Sequence, residues 1–157
     1  MAEHVKHGTN EGALWGGRFA GGPDQALAAL SKSTQFDWRL APYDIAGSRA
    51  HANVLAKAGY LTEDERLGMH EALDELEQRV SDGRFVAAEA DEDVHSALER
   101  GLMEIAGHEL GGKLRAGRSR NDQIATFVRM YIRDESATLQ QLLRELIDAI
   151  AGQAEAN

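Results

Sequence analysis

Three arginines, Arg115, Arg118 and Arg120, lie within six residues of the stretch GKLRAGRSRNDQIAT, residues 112–126. Gly117 and Ser119 loosen the backbone between them. Asn121 and Asp122 predict the start of a long helix, since Asn is a strong N-cap and Asp in a first turn suits the positive end of the helix dipole. A cationic loop feeding a helix N-terminus can bring guanidinium forks, a side-chain amide and free backbone N–H groups onto one anion. Arginine presents planar paired donors that match a carboxylate or phosphate in bidentate fashion. The chemistry on offer is anion binding, with a carboxylate substrate as the leading ligand. The same residues also read as a solvated basic loop with a good helix cap, and composition alone favours that reading.

A second candidate group is His95, which follows the acidic stretch Glu89–Asp93. That stretch lacks the glycine and distal glutamate of an EF-hand, so acids crowding a helix N-terminus is the simpler account. Taken alone, His95 reads as a hydrogen-bonded structural histidine. His51 and His70 are expected to be structural. His4 and His7 have no further ligands near them and read as part of a frayed end rather than a metal pair.

These residues need elements to hold them. Residues 1–12 are polar and patternless, and read as a tail. Residues 14–22 set Trp15 and Phe19 among four glycines without GxGxxG or a P-loop pattern, which predicts an extended arm whose aromatics plug into a core. Pro23 and Asp24 open a short helix to about Ser31, followed by a polar break through Thr34. Phe36 to Leu40 reads as an apolar linker. Asp44 to Ala58 reads as a helix closed by Gly59, with Ala46, Ala50, Ala52 and Ala56 as its close-packing face. Thr62 and Glu65 form a capping-box pattern. The helix they start carries Leu67, Met69, Leu73, Leu76 and Val80 and ends at Asp82-Gly83. A further helix carries Val94, Leu98, Leu102 and Ile105, and residues 107–112 read as a loop. From Asn121 an apolar stripe through Ile124, Val128, Tyr131, Ile132, Leu139, Leu142, Leu143, Leu146 and Ile150 persists for about 35 residues, or ~50 Å. A stripe of that length needs partner helices.

Composition narrows the classes. The chain has 157 residues and no cysteine, which excludes a disulfide scaffold and makes a reducing cytoplasm the natural setting. A formal charge of −9 argues against general nucleic-acid binding. No apolar run approaches the ~20 residues of a membrane span, and the N-terminus has no apolar signal core. Two prolines, with Ala, Leu and Glu abundant, point to an all-α protein.

The order of residues says more. GRSRNDQ (117–123) resembles the first signature block of the argininosuccinate lyase family, within the fumarase/aspartase superfamily. LWGGRF (14–19) resembles that family's N-terminal hallmark, and DEDVHSALE (91–99) its acidic–histidine block. The three blocks stand in the family's order across nearly the whole chain. The resemblance implies an N-terminal helical domain (13–117) followed by the first long helix of a central bundle (118–157). It makes this sequence the N-terminal portion of a longer protein that assembles as a homotetramer with shared active sites.

The reaction implied is reversible β-elimination of argininosuccinate to arginine and fumarate, in arginine synthesis. A base removes a proton beside a carboxylate, the carbanion drains into that carboxylate, and an acid protonates the leaving nitrogen. Ser119, Arg120 and Asn121 have the chemistry to hold the succinyl carboxylates, and the family's pattern adds Ser33 and His95 as substrate contacts. Asp37, Asp93, Arg118 and Gln123 are the expected supporting residues, with Asp93 a candidate to set the His95 tautomer. No metal or organic cofactor is required. The family's threonine–histidine pair and catalytic serine correspond to positions beyond Asn157, so the segment is expected to bind carboxylates and to be inactive alone. Competing expectations are a sibling lyase acting on a related succinyl skeleton, a non-catalytic crystallin-like protein, and a nucleic-acid binder, the last disfavoured by charge.

Overall fold

The computed structural model describes residues 24–156. The expected tail and the Leu14–Phe19 arm lie outside the described residues. Among those described, every regular element is helical: α1 (Gln25–Ser31), α2 (Thr34–Asp37), a 3₁₀ turn (Trp38–Leu40), α3 (Ala41–Lys57), α4 (Glu63–Ser81), α5 (Val94–Ala106), α6 (His108–Lys113) and α7 (Arg120–Ala156). The all-α architecture is as expected, and no described helix is long and apolar enough to cross a membrane.

Local chemistry sets the helix starts. Thr62 Oγ1 accepts from the Glu65 N–H at 3.2 Å, and Glu65 Oε2 accepts from the Thr62 N–H at 2.9 Å, which is the predicted capping box of α4. Asp93 and Ser96 make the equivalent box for α5, at 2.6 and 3.1 Å. At α7 the cap is Ser119, not Asn121. Ser119 Oγ accepts from the Asn121 N–H at 3.3 Å, while Asp122 Oδ1 accepts from the Ser119 N–H at 3.1 Å. Asn121 therefore stands in the first turn, one residue inside the helix that begins at Arg120.

Three further boundaries differ from expectation. Residues 36–40, expected as an apolar linker, are helical and continue α2 into the 3₁₀ turn. α3 begins three residues early, at Ala41, because Pro42 fits its first turn. Residues 108–113 are helical despite two glycines, since Gly111 packs on Met103 of α5, where an added Cβ would lie 3.1 Å from the backbone.

The core lies between α3, α4 and α5. Ile45, Leu55, Met69, Leu73, Leu76, Val94, Leu98 and Leu102 are all buried there. Ala46 and Ala50 point to solvent instead, and of the expected alanine face Ala52 is buried and Ala56 half-buried. The connection into α5 is fastened by Asp91. Its buried carboxylate accepts from the Ala88 N–H and pairs with Arg100 at 2.8 Å. Asp91 holds the Arg100 guanidinium still further above its ordinary pKa, and the same guanidinium lies 4.8 Å from the Phe85 ring.

α7 docks by its first turns only. Phe127 is 2% exposed and is the one buried residue among those described on this helix. Tyr131 meets Tyr43 edge-on at 6.0 Å. Phe127 reaches the core because Gly47 on α3 has no side chain: a Cβ there would lie 2.2 Å from the ring. Gly47→Ala is therefore expected to cost about 1–3 kcal/mol through overpacking. Urea unfolding checks this, as a lower midpoint at an unchanged slope. Beyond Tyr131 the apolar face, from Ile132 to Ile150, is exposed.

Candidate functional site

Three segments converge on the N-terminal end of α5. The first is the turn that carries Ser33 and Asp37. Ser33 Oγ donates to Asp37 Oδ2 at 2.6 Å, and the Ser33 N–H donates to the Glu92 carbonyl at 2.8 Å. Asp37 Oδ1 accepts from the Val94 N–H, one of the orphan donors of α5. The second is α5 itself, carrying Asp93 and His95. The third is the Arg118–Gln123 stretch that opens α7, with Arg120 Nε 3.7 Å from Asp93 Oδ2.

The approach to α7 is pinned at several points. His51 Nε2 lies 2.9 Å from the Ala116 carbonyl, Arg115 pairs with Glu99 at 2.9 Å, and Lys113 pairs with Glu65. Gly117 then turns the chain at φ +64°, a conformation that suits glycine. The structural role expected of His51 is thus visible. His70 bonds Asn53 at 2.9 Å, away from this region.

A cavity of about 160 Å³ opens beneath the start of α7. Its floor is apolar, with Leu73, Leu76, Leu98 and Leu102. Its polar wall includes Asp44, Ser48, His95, Arg118, Arg120 and Gln123, with Arg115 and Glu99 nearby. Three guanidinium groups face two carboxylates there, a local excess of positive charge in a chain whose formal charge is −9.

Asp44 is the hub of that wall and is 3% exposed. Its Oδ1 accepts from Ser48 Oγ at 2.9 Å, and its Oδ2 lies 2.5 Å from His95 Nδ1. Gln123 Nε2 donates to it at 3.2 Å, and Arg118 Nη2 stands 3.6 Å away. Arg118 also donates to Ser48 Oγ at 3.0 Å and lies 5.8 Å from the Phe127 ring. Burial pushes the Arg118 guanidinium below its ordinary pKa, against the nearby Asp44 charge that works the other way. A desolvated cation with one distant carboxylate gains more from an anionic ligand than a solvated one does.

The residues singled out from sequence thus divide into two groups. His95, Arg118, Arg120 and Gln123 face the cavity, while Ser33, Asp37 and Asp93 stand beside it at the α5 N-terminus. Ser119 and Asn121 are exposed at the mouth of α7, off the cavity wall. Asp93 does not orient His95. Residues two apart on a helix do not face each other, and Asp93 Oδ1 serves the Ser96 N–H instead.

The family described as Lyase matches residues 17–157. The chain belongs to this lyase family. An argininosuccinate lyase of Clavibacter michiganensis is 72% identical over 145 residues, 92% of this chain and 29% of the relative. The argininosuccinate lyase of Leifsonia xyli is 66% identical over 149 residues, 95% of this chain and 31% of the relative. That of Streptomyces coelicolor is 65% identical over 144 residues, 92% and 30% respectively. The lyase-family chain thus spans less than a third of the length of the curated relatives it matches.

Sequence reasoning missed two members of the wall in this lyase-family chain. Asp44 and Ser48 lie one helical turn apart on α3, and that spacing was the available signal. An Asp and a Ser at i, i+4 on an otherwise core-facing stripe must satisfy each other or a third group.

Proposed function

We propose that this chain forms the carboxylate-gripping part of an argininosuccinate lyase, which cleaves argininosuccinate reversibly to arginine and fumarate in arginine synthesis. The observation that carries the proposal is the guanidinium-rich wall of a small cavity at the mouth of α7. Elimination places extra negative charge on a substrate carboxylate, and fixed donors aimed at that oxygen lower the barrier. Arg120 on the cavity wall, with Ser119 and Asn121 exposed beside it at the mouth of α7, are the groups assigned to the succinyl carboxylates. Ser33 and His95 complete the substrate contacts, and Asp37, Asp93, Arg118 and Gln123 support them. The names of the relatives support the choice of substrate.

The proposal extends to a cytoplasmic homotetramer in which residues 118–157 begin a bundle domain. Its support is the exposed apolar face of α7, whose leucines and isoleucines from Ile132 to Ile150 would be covered by neighbouring helices.

The test joins this chain to the remaining two thirds of an argininosuccinate lyase relative and follows fumarate absorbance. Turnover of argininosuccinate is expected, with kcat/KM falling about 100-fold or more on Arg120→Ala. Undiminished turnover by that variant would overturn the site assignment. Preference for another succinyl-bearing substrate would overturn the named reaction.

A further inference from the structure

We propose that Asp44 is a positioning residue that fixes the tautomer of His95, so that the imidazole offers the cavity a hydrogen-bond acceptor. The nitrogen facing the ligand would then take an N–H group, not a carboxylate. For the chemical identity of that N–H group, the inference rests on the lyase reading above; the tautomer itself does not depend on it.

The argument begins with Asp44. An ionised carboxylate only accepts hydrogen bonds. The proton in the 2.5 Å contact between Asp44 Oδ2 and His95 Nδ1 therefore belongs to the ring. A neutral imidazole protonated at Nδ1 carries its lone pair on Nε2. No group among the described residues hydrogen-bonds that nitrogen. No buried side-chain polar atom among them lacks a partner, so Nε2 is not sealed in the core. His95 lines the cavity, and the cavity is where Nε2 is reachable.

The chemistry of the wall gives this nitrogen its meaning. Arg115, Arg118 and Arg120 only donate, and the Gln123 amide N–H is already turned to Asp44. A ligand carboxylate is met by the guanidinium groups. Beside them, Nε2 is an acceptor that repels a carboxylate oxygen and takes an N–H. A substrate bearing a guanidino or amino nitrogen next to its carboxylates matches both halves of that wall.

The Asp44 environment also dictates what an amide would do in its place. Ser48 Oγ donates to Oδ1, and Arg118 Nη2 stands 3.6 Å from the same atom, while Gln123 Nε2 reaches both oxygens, at 3.4 Å from Oδ1 and 3.2 Å from Oδ2, and so can serve a carbonyl at Oδ1. In Asp44→Asn those donors hold the amide carbonyl at the Oδ1 position and turn the NH₂ toward His95. Nδ1 must then accept, and the ring proton moves to Nε2. The cavity-facing nitrogen changes from acceptor to donor, the same change of tautomer that an Asp→Asn substitution produces in a Ser-His-Asp triad.

Long-range ¹⁵N–¹H NMR of the His95 ring, in the 157-residue chain at mildly alkaline pH, reads this directly. The wild-type chain is expected to show the deshielded, protonless nitrogen at ε2, and Asp44→Asn to show it at δ1. Backbone amide spectra report whether the variant is folded; if it is not, the wild-type assignment alone decides. A protonated Nε2 in the wild-type chain, or an unchanged tautomer in folded Asp44→Asn, would overturn the proposal. An inactive lyase chimera together with the expected tautomer would count against the proposed reaction and leave the role of Asp44 standing.

Discussion

Phe127→Ala is expected to destabilise the chain by about 3–5 kcal/mol, the range for truncating a fully buried aromatic side chain. The ring is 2% exposed, fills the space left by Gly47 and lies 5.8 Å from His95. It is also the single buried anchor among the described residues of a 37-residue helix. Its loss acts twice. The core gains a void, and the first turns of α7 lose the contact that holds Arg120 and Gln123 over the cavity. Urea unfolding should show the lower midpoint, and amide shifts should change along residues 118–131. A loss below about 1 kcal/mol would mean that Tyr131 and the Arg118–Asp44 contacts hold α7 by themselves.

Asp44→Ala is expected to cost a similar amount, about 3–5 kcal/mol, for a different reason. No large void forms. Instead Ser48, His95 and Gln123 lose their shared acceptor, and the half-buried Arg118 guanidinium loses its nearest carboxylate. Donors stranded in a desolvated wall carry the cost. The two substitutions share neighbours, so their effects should not add. Denaturant melts of both single variants and the double variant measure the coupling. Strict additivity would show that the ring and the carboxylate act independently.

The parts of this fold that could be read from sequence are those set by near neighbours. Thr62 and Glu65 stand three residues apart, and their capping box needs nothing else. The core stripes of α4 and α5 follow helical spacing, except that Leu67, expected on the α4 stripe, is exposed. Residues 108–113 read as a loop because two glycines lower helix propensity, and only packing against Met103 recovers it. The start of α7 was misplaced because Asn121 and Ser119 are both good caps, and side-chain geometry alone separates them.

The site shows the same division. The arginine block and His95 stood out by type and order. The partner of His95 did not, because Asp44 lies 51 residues away, and the nearest acid in sequence, Asp93, is occupied as a cap. Phe127 does not stand out in the sequence, because Ile124 and Val128 already define the apolar stripe of α7. The depth at which Phe127 packs depends on a glycine in another helix.

The most direct measurement is an NMR titration of this chain with fumarate, repeated with the neutral diamide of the same acid. Saturable shifts at His95, Arg118, Arg120 and Gln123 are expected with fumarate and not with the diamide, because the guanidinium groups bind charge. Equal responses to both compounds, or shifts confined to the exposed Leu139–Ile150 face, would contradict the assignment of the α7 mouth as a diacid site.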